Sequence, residues 1–244
     1  MDVNRADRIL VQAKTAGATL AGLVGVEALD GAPAFRDHPL KWPASARSVL
    51  VLALSHPESE PELDWWGGQG GTPGNRVLIR ISQQLKPWLN DELEAHARVL
   101  PYHVEKGGIF LKDAAVLAGL GALGANNLLI TPELGPRVRL KALLLGVDAP
   151  DPPDKDFDPC DGCERPCLSA CPQQAFSQGT YDIGRCSIQM RQDEERRASD
   201  DQAAAQDLPA RFTRYCRACE LACPVGRASE TGWISQRKQE HDGP

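Results

Sequence analysis

No apolar stretch in the 244-residue sequence is long enough to cross a membrane. The longest, counting glycine as apolar, is Ala114 to Ala125, well short of the roughly 20 residues a spanning helix requires. The opening residues, MDVNRADRILVQAKTAG, contain neither a signal-peptide core nor paired arginines, so the expected location is the cytoplasm. Basic runs that would track a nucleic-acid backbone are also missing. Lys plus Arg number 27 against 33 Asp plus Glu, a formal net charge of -6, which disfavours a nucleic-acid partner. Cysteine is absent from the first 159 residues, and eight then crowd between Cys160 and Cys223. A disulfide scaffold spreads its staples over a small secreted chain, whereas this clustering points to metal or redox cofactors. At 42% hydrophobic and 25% charged, the chain has the composition of a globular protein with one large domain, or one domain and a small appendage.

The pattern places an α+β core over residues 1–150 and a cysteine-bearing module over 151–244. Helical spacing runs from Asn4 to about Ala16, with Ile9, Leu10 and Ala13 on one face, and Leu20 to Val26 reads as a buried strand. RSVLVLAL (47–54) is a clearer strand. Residues 64–75 hold five glycines among twelve and read as a loop that shapes a pocket with Trp65 and Trp66. Leu78, Ile81, Leu85, Leu89 and Leu93 predict an amphipathic helix that Pro87 kinks or splits, followed by a strand from Val99 to Glu105. Leu111 to Ala118 reads as a short helix. Leu128 to Thr131 and residues 137–147 suggest an antiparallel hairpin, the second with Arg137, Arg139 and Lys141 along one face: a solvated face, or the binding row for an anionic ligand. Residues 148–159 are an acidic, proline-rich link, and a polar stretch lies near 190–209.

The cysteines form two runs, Cys160-x2-Cys163-x3-Cys167-x3-Cys171-Pro172 and Cys216-x2-Cys219-x3-Cys223-Pro224. In the bacterial two-cluster ferredoxin pattern the closely spaced thiolates wrap one iron-sulfur cube, and the last cysteine, before proline, serves the other. By that logic Cys160, Cys163, Cys167 and Cys223 bind one 4Fe-4S cluster, and Cys171, Cys216 and Cys219 supply the second, which Cys186 completes. Eight cysteines then leave none over. Zinc is the alternative for paired C-x2-C motifs, although the crossed Cys-Pro endings are typical of clusters. The x3 gap before Cys167, where ferredoxins have x2, predicts a local bulge near Pro166. Gly119, Gly121 and Gly124 match G-x-G-x-x-G, but that fingerprint needs a strand before it and a helix after it, and the order here is reversed. A glycine cap with a tight turn is one alternative, and a loop that approaches a flat cofactor is another.

These residues together resemble the epoxyqueuosine reductase family, cobalamin-dependent iron-sulfur enzymes related to reductive dehalogenases. ARSVLVLAL (46–54), VEKG (104–107), AGLGALGANNLLI (118–130), YDIGRCSI (181–188) and both cysteine runs are similar to family segments in the same order. The resemblance implies a nitroreductase-like core that holds cobalamin beside a two-cluster ferredoxin-like module, with Gly119, Gly121, Gly124, Asn126 and Asn127 near the cofactor. Glu105 stands where the family has an aspartate general acid, and burial would have to raise its pKa for that role; His103 shares its strand face. Ferredoxin or flavodoxin is the implied electron donor and a small or nucleoside-like molecule the substrate. The chain resembles a short form without the family's C-terminal helical repeats, and with its acidic charge this makes tRNA an unlikely partner. The WWGGQGGTPGN loop and Ala122 depart from the family. Two alternatives share the pattern: an electron-transfer protein serving a partner enzyme, and a core that binds flavin.

Overall fold

The structure, a computed structural model, describes residues 3–67, 71–151, 156–196 and 212–227. Parts of the glycine-rich loop (68–70), the acidic link (152–155) and the polar stretch (197–209) lie outside the described residues. Helix α1 (Val3–Thr15) leads into β1 (Leu20–Gly25), α2 (Val26–Asp30), α3 (Pro33–Asp37) and β2 (Ser48–Ser55). A 3-10 turn, Pro61–Asp64, precedes the long α4 (Pro73–Leu93) and the short β3 (Arg98–Val99). A second 3-10 turn, Val104–Lys106, is followed by α5 (Leu111–Leu117), β4 (Ala122–Leu123), β5 (Leu129–Ile130) and β6 (Val138–Leu145). The cysteine region contributes α6 (Pro166–Ser169), α7 (Ile183–Arg196) and α8 (Ala218–Leu221).

Four antiparallel strands form the main sheet in the order β1-β2-β6-β3. Strand β2 is a continuous apolar run because both of its faces are covered. Leu50 and Leu52 join a core with Ile9 and Ala13 of α1 and the stripe of α4. Val49, Val51 and Ala53 meet Leu29 of α2, Phe35 of α3 and the alanines of α5 on the opposite face. Cutting a fully buried leucine such as Leu50 back to alanine costs about 2–5 kcal/mol, so the two central strands form a rigid platform.

Several expectations change. Helix α4 runs unbroken through Pro87. The missing N–H costs about 3 kcal/mol, whereas each buried leucine of the Leu78, Leu85, Leu89 and Leu93 stripe contributes about 1.5–3 kcal/mol. Thr72 caps the helix, its hydroxyl accepting from Asn75 N–H at 3.1 Å. The strand expected from Val99 to Glu105 ends almost at once, because Pro101 has no N–H to continue the ladder. The expected hairpin does not form: β5 pairs with β4, and β6 inserts between β2 and β3. Five successive buried residues, Lys141 to Leu145, mark β6 as a strand that needs neighbours on both edges and cover on both faces.

A candidate redox centre

All eight cysteines are free thiols. Cys160 and Cys163 share a turn in which Cys163 N–H donates to Cys160 O at 3.3 Å, and Cys167 sits in α6. The additional residue before Cys167 is absorbed where the sequence implied a bulge: Arg165 adopts a left-handed φ of 56°, and Pro166 then opens α6. Cys186 lies in the first turn of α7, Cys216 precedes α8, Cys219 is within it and Cys223 follows it. Cys167 and Cys223 are buried, and Cys216 is exposed.

Mutual electrostatics sort the thiols into two neighbourhoods. Burial, and then the charges of Cys223, Cys160 and Cys163, raise the Cys167 thiol. Burial, followed by Cys216, Cys171 and Cys186, pushes Cys219 up to about 12. Four thiolates crowded in this way repel one another, and a bound cation or cluster removes that penalty by replacing the protons. Backbone N–H groups already point at sulfur: Ala125 to Cys160, Arg165 to Cys163 and Ala175 to Cys171, each at 3.3 Å. The first neighbourhood borders a small recess lined by its four cysteines with Gly124 and Asn126. The donor set therefore fits two four-thiolate centres, one assembled from 160, 163, 167 and 223, the other from 171, 186, 216 and 219.

Two glycines of the glycine-rich stretch serve the chain's own backbone geometry. Gly119 follows α5 with a φ of 76°, and Leu120 N–H bonds back to Ala115 O at 2.9 Å, so the helix end is capped there. A Cβ on Gly121 would lie 2.0 Å from the carbonyl oxygen of Ile130, so this glycine permits close β4–β5 packing. Gly121 is thus committed to the chain's own backbone, whereas Gly119 is exposed. Asn126 is buried; its amide donates to Cys219 O at 3.2 Å and accepts from Leu128 N–H at 3.3 Å, tying the core to the second cysteine run. Asn127 takes a left-handed φ of 57°, and its carbonyl accepts from Lys112 Nζ at 2.6 Å.

Glu105 and His103 are close, with 3.5 Å between a carboxylate oxygen and Nδ1, but on the 3-10 turn and not on a strand. Their side chains are 72% and 52% exposed, so the burial that a general-acid role for Glu105 required is missing in this conformation. The basic row on β6 also differs from both of its expected forms. Arg137 and Lys141 are buried and spend their protons internally, Arg137 on Val225 O at 2.5 Å and Lys141 on Leu100 O at 2.9 Å. Burial lowers both pKa values. Arg139 pairs with Asp64.

Sequence reasoning missed a buried charged group between the core and the second cysteine run. His56, Asp64 and Glu220 come close enough to suggest a metal site, but the guanidinium of Arg217 stands where the cation would be, 2.9 Å from both His56 Nδ1 and Asp64 Oδ2 and 2.5 Å from Glu220. It also missed buried Asp193 of α7, which accepts from Cys216 N–H at 2.8 Å. Neither carried a local signal, since the partners are far apart in sequence.

No family model matches the chain. Solved structures with the same fold include an epoxyqueuosine reductase bound to an epoxyqueuosine-modified tRNA stem loop, with a TM-score of 0.62 and 19% identity over 93% of this chain and 66% of that one. A reductive dehalogenase whose structure suggests a mechanism for B12-dependent dehalogenation matches with a TM-score of 0.59 and 17% identity, covering 95% of this chain and 33% of that one. The mixed α/β fold is thus one shared by two kinds of reductase. In sequence, the chain is 30% identical over 198 residues to the epoxyqueuosine reductase of Gloeobacter violaceus, which covers 78% of this chain and 60% of that protein. The chain is thus similar in sequence to epoxyqueuosine reductases and, over 68 residues, to a tetrachloroethene reductive dehalogenase of Desulfitobacterium hafniense. It spans about 40–60% of the length of curated relatives such as those of Gloeobacter violaceus and Bacillus cereus. No helix among the described residues is long and apolar enough to cross a membrane.

Proposed function

We propose that the protein is an iron-sulfur oxidoreductase of the epoxyqueuosine reductase type that receives single electrons from a ferredoxin or flavodoxin and delivers them to a corrinoid-assisted reduction of a nucleoside-like substrate, free or within RNA. The observation that supports the reading is that all eight cysteines are free, with Cys160, Cys163 and Cys223 acting on the Cys167 thiol and Cys171, Cys186 and Cys216 on that of Cys219. Cys160, Cys163, Cys167 and Cys223 would hold one 4Fe-4S cluster, and Cys171, Cys186, Cys216 and Cys219 the other. When bound, the clusters store and pass single electrons and a cobalamin supplies the reductant for the substrate.

The chain's own residues supply ligands, register and protons. The N–H groups of Ala125, Arg165 and Ala175 stabilise thiolate charge on three of the sulfurs. Asn126 holds the Cys219 loop against the core. Glu105 carries the proton that a reduced substrate needs, with His103 Nδ1 at 3.5 Å to orient its carboxyl; closing the turn that bears them over the site would provide the missing burial. The core at 1–150 takes the role of a nitroreductase-like cofactor domain and 151–244 that of a ferredoxin-like module.

A cobalamin titration of anaerobically purified, cluster-reconstituted protein, read by visible absorption and by electron paramagnetic resonance of the cobalt(II) state, tests the proposal. A base-off spectrum supports it. Full iron content without cobalamin binding favours the second reading, an electron-transfer or flavin-linked protein, which the close packing of Gly121 against Ile130 also supports.

A further inference from the structure

The loop that follows β2 does more than connect elements, because five of its residues reach the segment carrying the last three cysteines. Trp66 and Thr213 exchange both backbone hydrogen bonds, at 2.9 and 2.8 Å, and Trp65 stacks on Phe212 at 4.4 Å with the rings nearly parallel. Arg214 covers the exposed side of Trp65 at 4.6 Å. Glu58 pairs with Arg227 at 3.3 Å. At the centre, Arg217 donates to the His56 carbonyl at 3.1 Å and pairs with Asp64 Oδ2 at 2.9 Å, while its guanidinium lies 2.9 Å from His56 Nδ1, which is itself 2.6 Å from Asp64 Oδ2. Its remaining reach goes to Glu220, one turn along α8.

Arg217 lies between Cys216 and Cys219 in sequence, while His56 directly follows the central strand β2 and Asp64 is also held by Arg139 of β6. The guanidinium therefore joins the two central strands to the loop that carries half of one thiol set. His56 is 4% exposed and Arg217 and Glu220 are mostly covered, so the contacts are protected from solvent competition. A planar, multi-donor cation suits this geometry, and an ammonium does not.

We propose that Arg217 is a positioning residue that clamps the Cys216–Cys219 loop to the end of β2 and sets the environment of the second cluster. This rests on the proposed cluster assignment. The test uses the full reconstituted chain, with iron content, electron paramagnetic resonance and redox titration of each cluster as readouts. Cys219→Ala protein identifies the signal of the first cluster. In Arg217→Met the potential and line shape of the second cluster shift, or its iron is lost, while the first cluster keeps its signal; Arg217→Lys restores the wild-type values only in part. Asp64→Asn produces a smaller shift of the same cluster and provides the result if Arg217→Met does not fold. The double variant is no worse than Arg217→Met alone, because the two residues act through each other. An unchanged second cluster in the single variants, additive shifts, or equal disturbance of both clusters would overturn the clamp. A wild-type protein without two clusters would instead overturn the assignment beneath it.

Discussion

Replacing Gly135 by alanine tests how the second cysteine run is seated on the core. Gly135 closes the turn between β5 and β6, where it exchanges two backbone hydrogen bonds with Thr131, each 2.9 Å long. Its φ is +58°, and an added Cβ would stand 1.9 Å from the carbonyl oxygen of Val225, two residues beyond Cys223. Gly226 packs from the other side, where a Cβ would lie 2.2 Å from Gly135 N. The left-handed backbone costs alanine about 1–2 kcal/mol. Overpacking against rigid backbone adds about 1–3 kcal/mol. Pushing the Val225 carbonyl away weakens its hydrogen bond from Arg137, worth about 1.5–3 kcal/mol because the donor is charged. The expected destabilisation is roughly 3–6 kcal/mol, a large part of the 5–15 kcal/mol typical of a domain. Gly179→Ala is the control: φ there is +80° but nothing lies within 4 Å of the added Cβ, so only the backbone cost applies. Urea unfolding under anaerobic conditions measures both, and iron content reports whether Cys223 has moved. Equal midpoints for the two variants would refute the close-packing argument.

Cys219→Ala is expected to remove one cluster and leave the other, read as loss of about half the iron; loss of neither would overturn the ligand assignment. Glu105→Gln should abolish turnover in cofactor-loaded protein while cluster and corrinoid content stay at wild-type levels, and retained activity would remove Glu105 from the proton path. For Asp64, burial pushes the carboxyl up, but the His56 hydrogen bond and the charges of His56, Arg139 and Arg217 outweigh it and hold the pKa below its ordinary value. A depressed folded-state pKa contributes stability that is fully present above the unfolded value of about 4 and is lost as pH falls through the folded one. Asp64→Asn should therefore flatten the acid side of the stability profile, measured as thermal midpoint against pH below about 5. An unchanged acid limb would show that other carboxylates dominate it.

The amino-acid sequence by itself determined the elements whose signal is local. The apolar run of β2, the stripe of α4 behind its Thr72 cap, and the helix at Leu111–Leu117 each follow from spacing within a few turns of chain. The two thiol sets were legible for a related reason. Cys-x2-Cys spacing and a terminal Cys-Pro restrict which sulfurs can meet, and in the folded chain Cys167 feels the charges of Cys160, Cys163 and Cys223 while Cys219 feels those of Cys171, Cys186 and Cys216. Family resemblance likewise pointed to the reductases that the comparisons match.

Tertiary structure alone decided the rest. Arg137 and Lys141 alternate like a solvated face, yet strand order places them under other elements, where carbonyls at positions 225 and 100 accept their protons. Gly119, Gly121 and Gly124 read equally well as a cofactor loop, and only the distance from Gly121 to Ile130 shows that the second is packed against backbone. The clamp of His56, Asp64 and Arg217 joins residues 161 positions apart, and Cys216 is held by an aspartate 23 residues earlier on α7. Local spacing restricts which groups can meet within a loop, whereas contacts between distant segments are set by how the layers close over β2 and β6, where many weak apolar burials decide together which polar groups are forced to find partners.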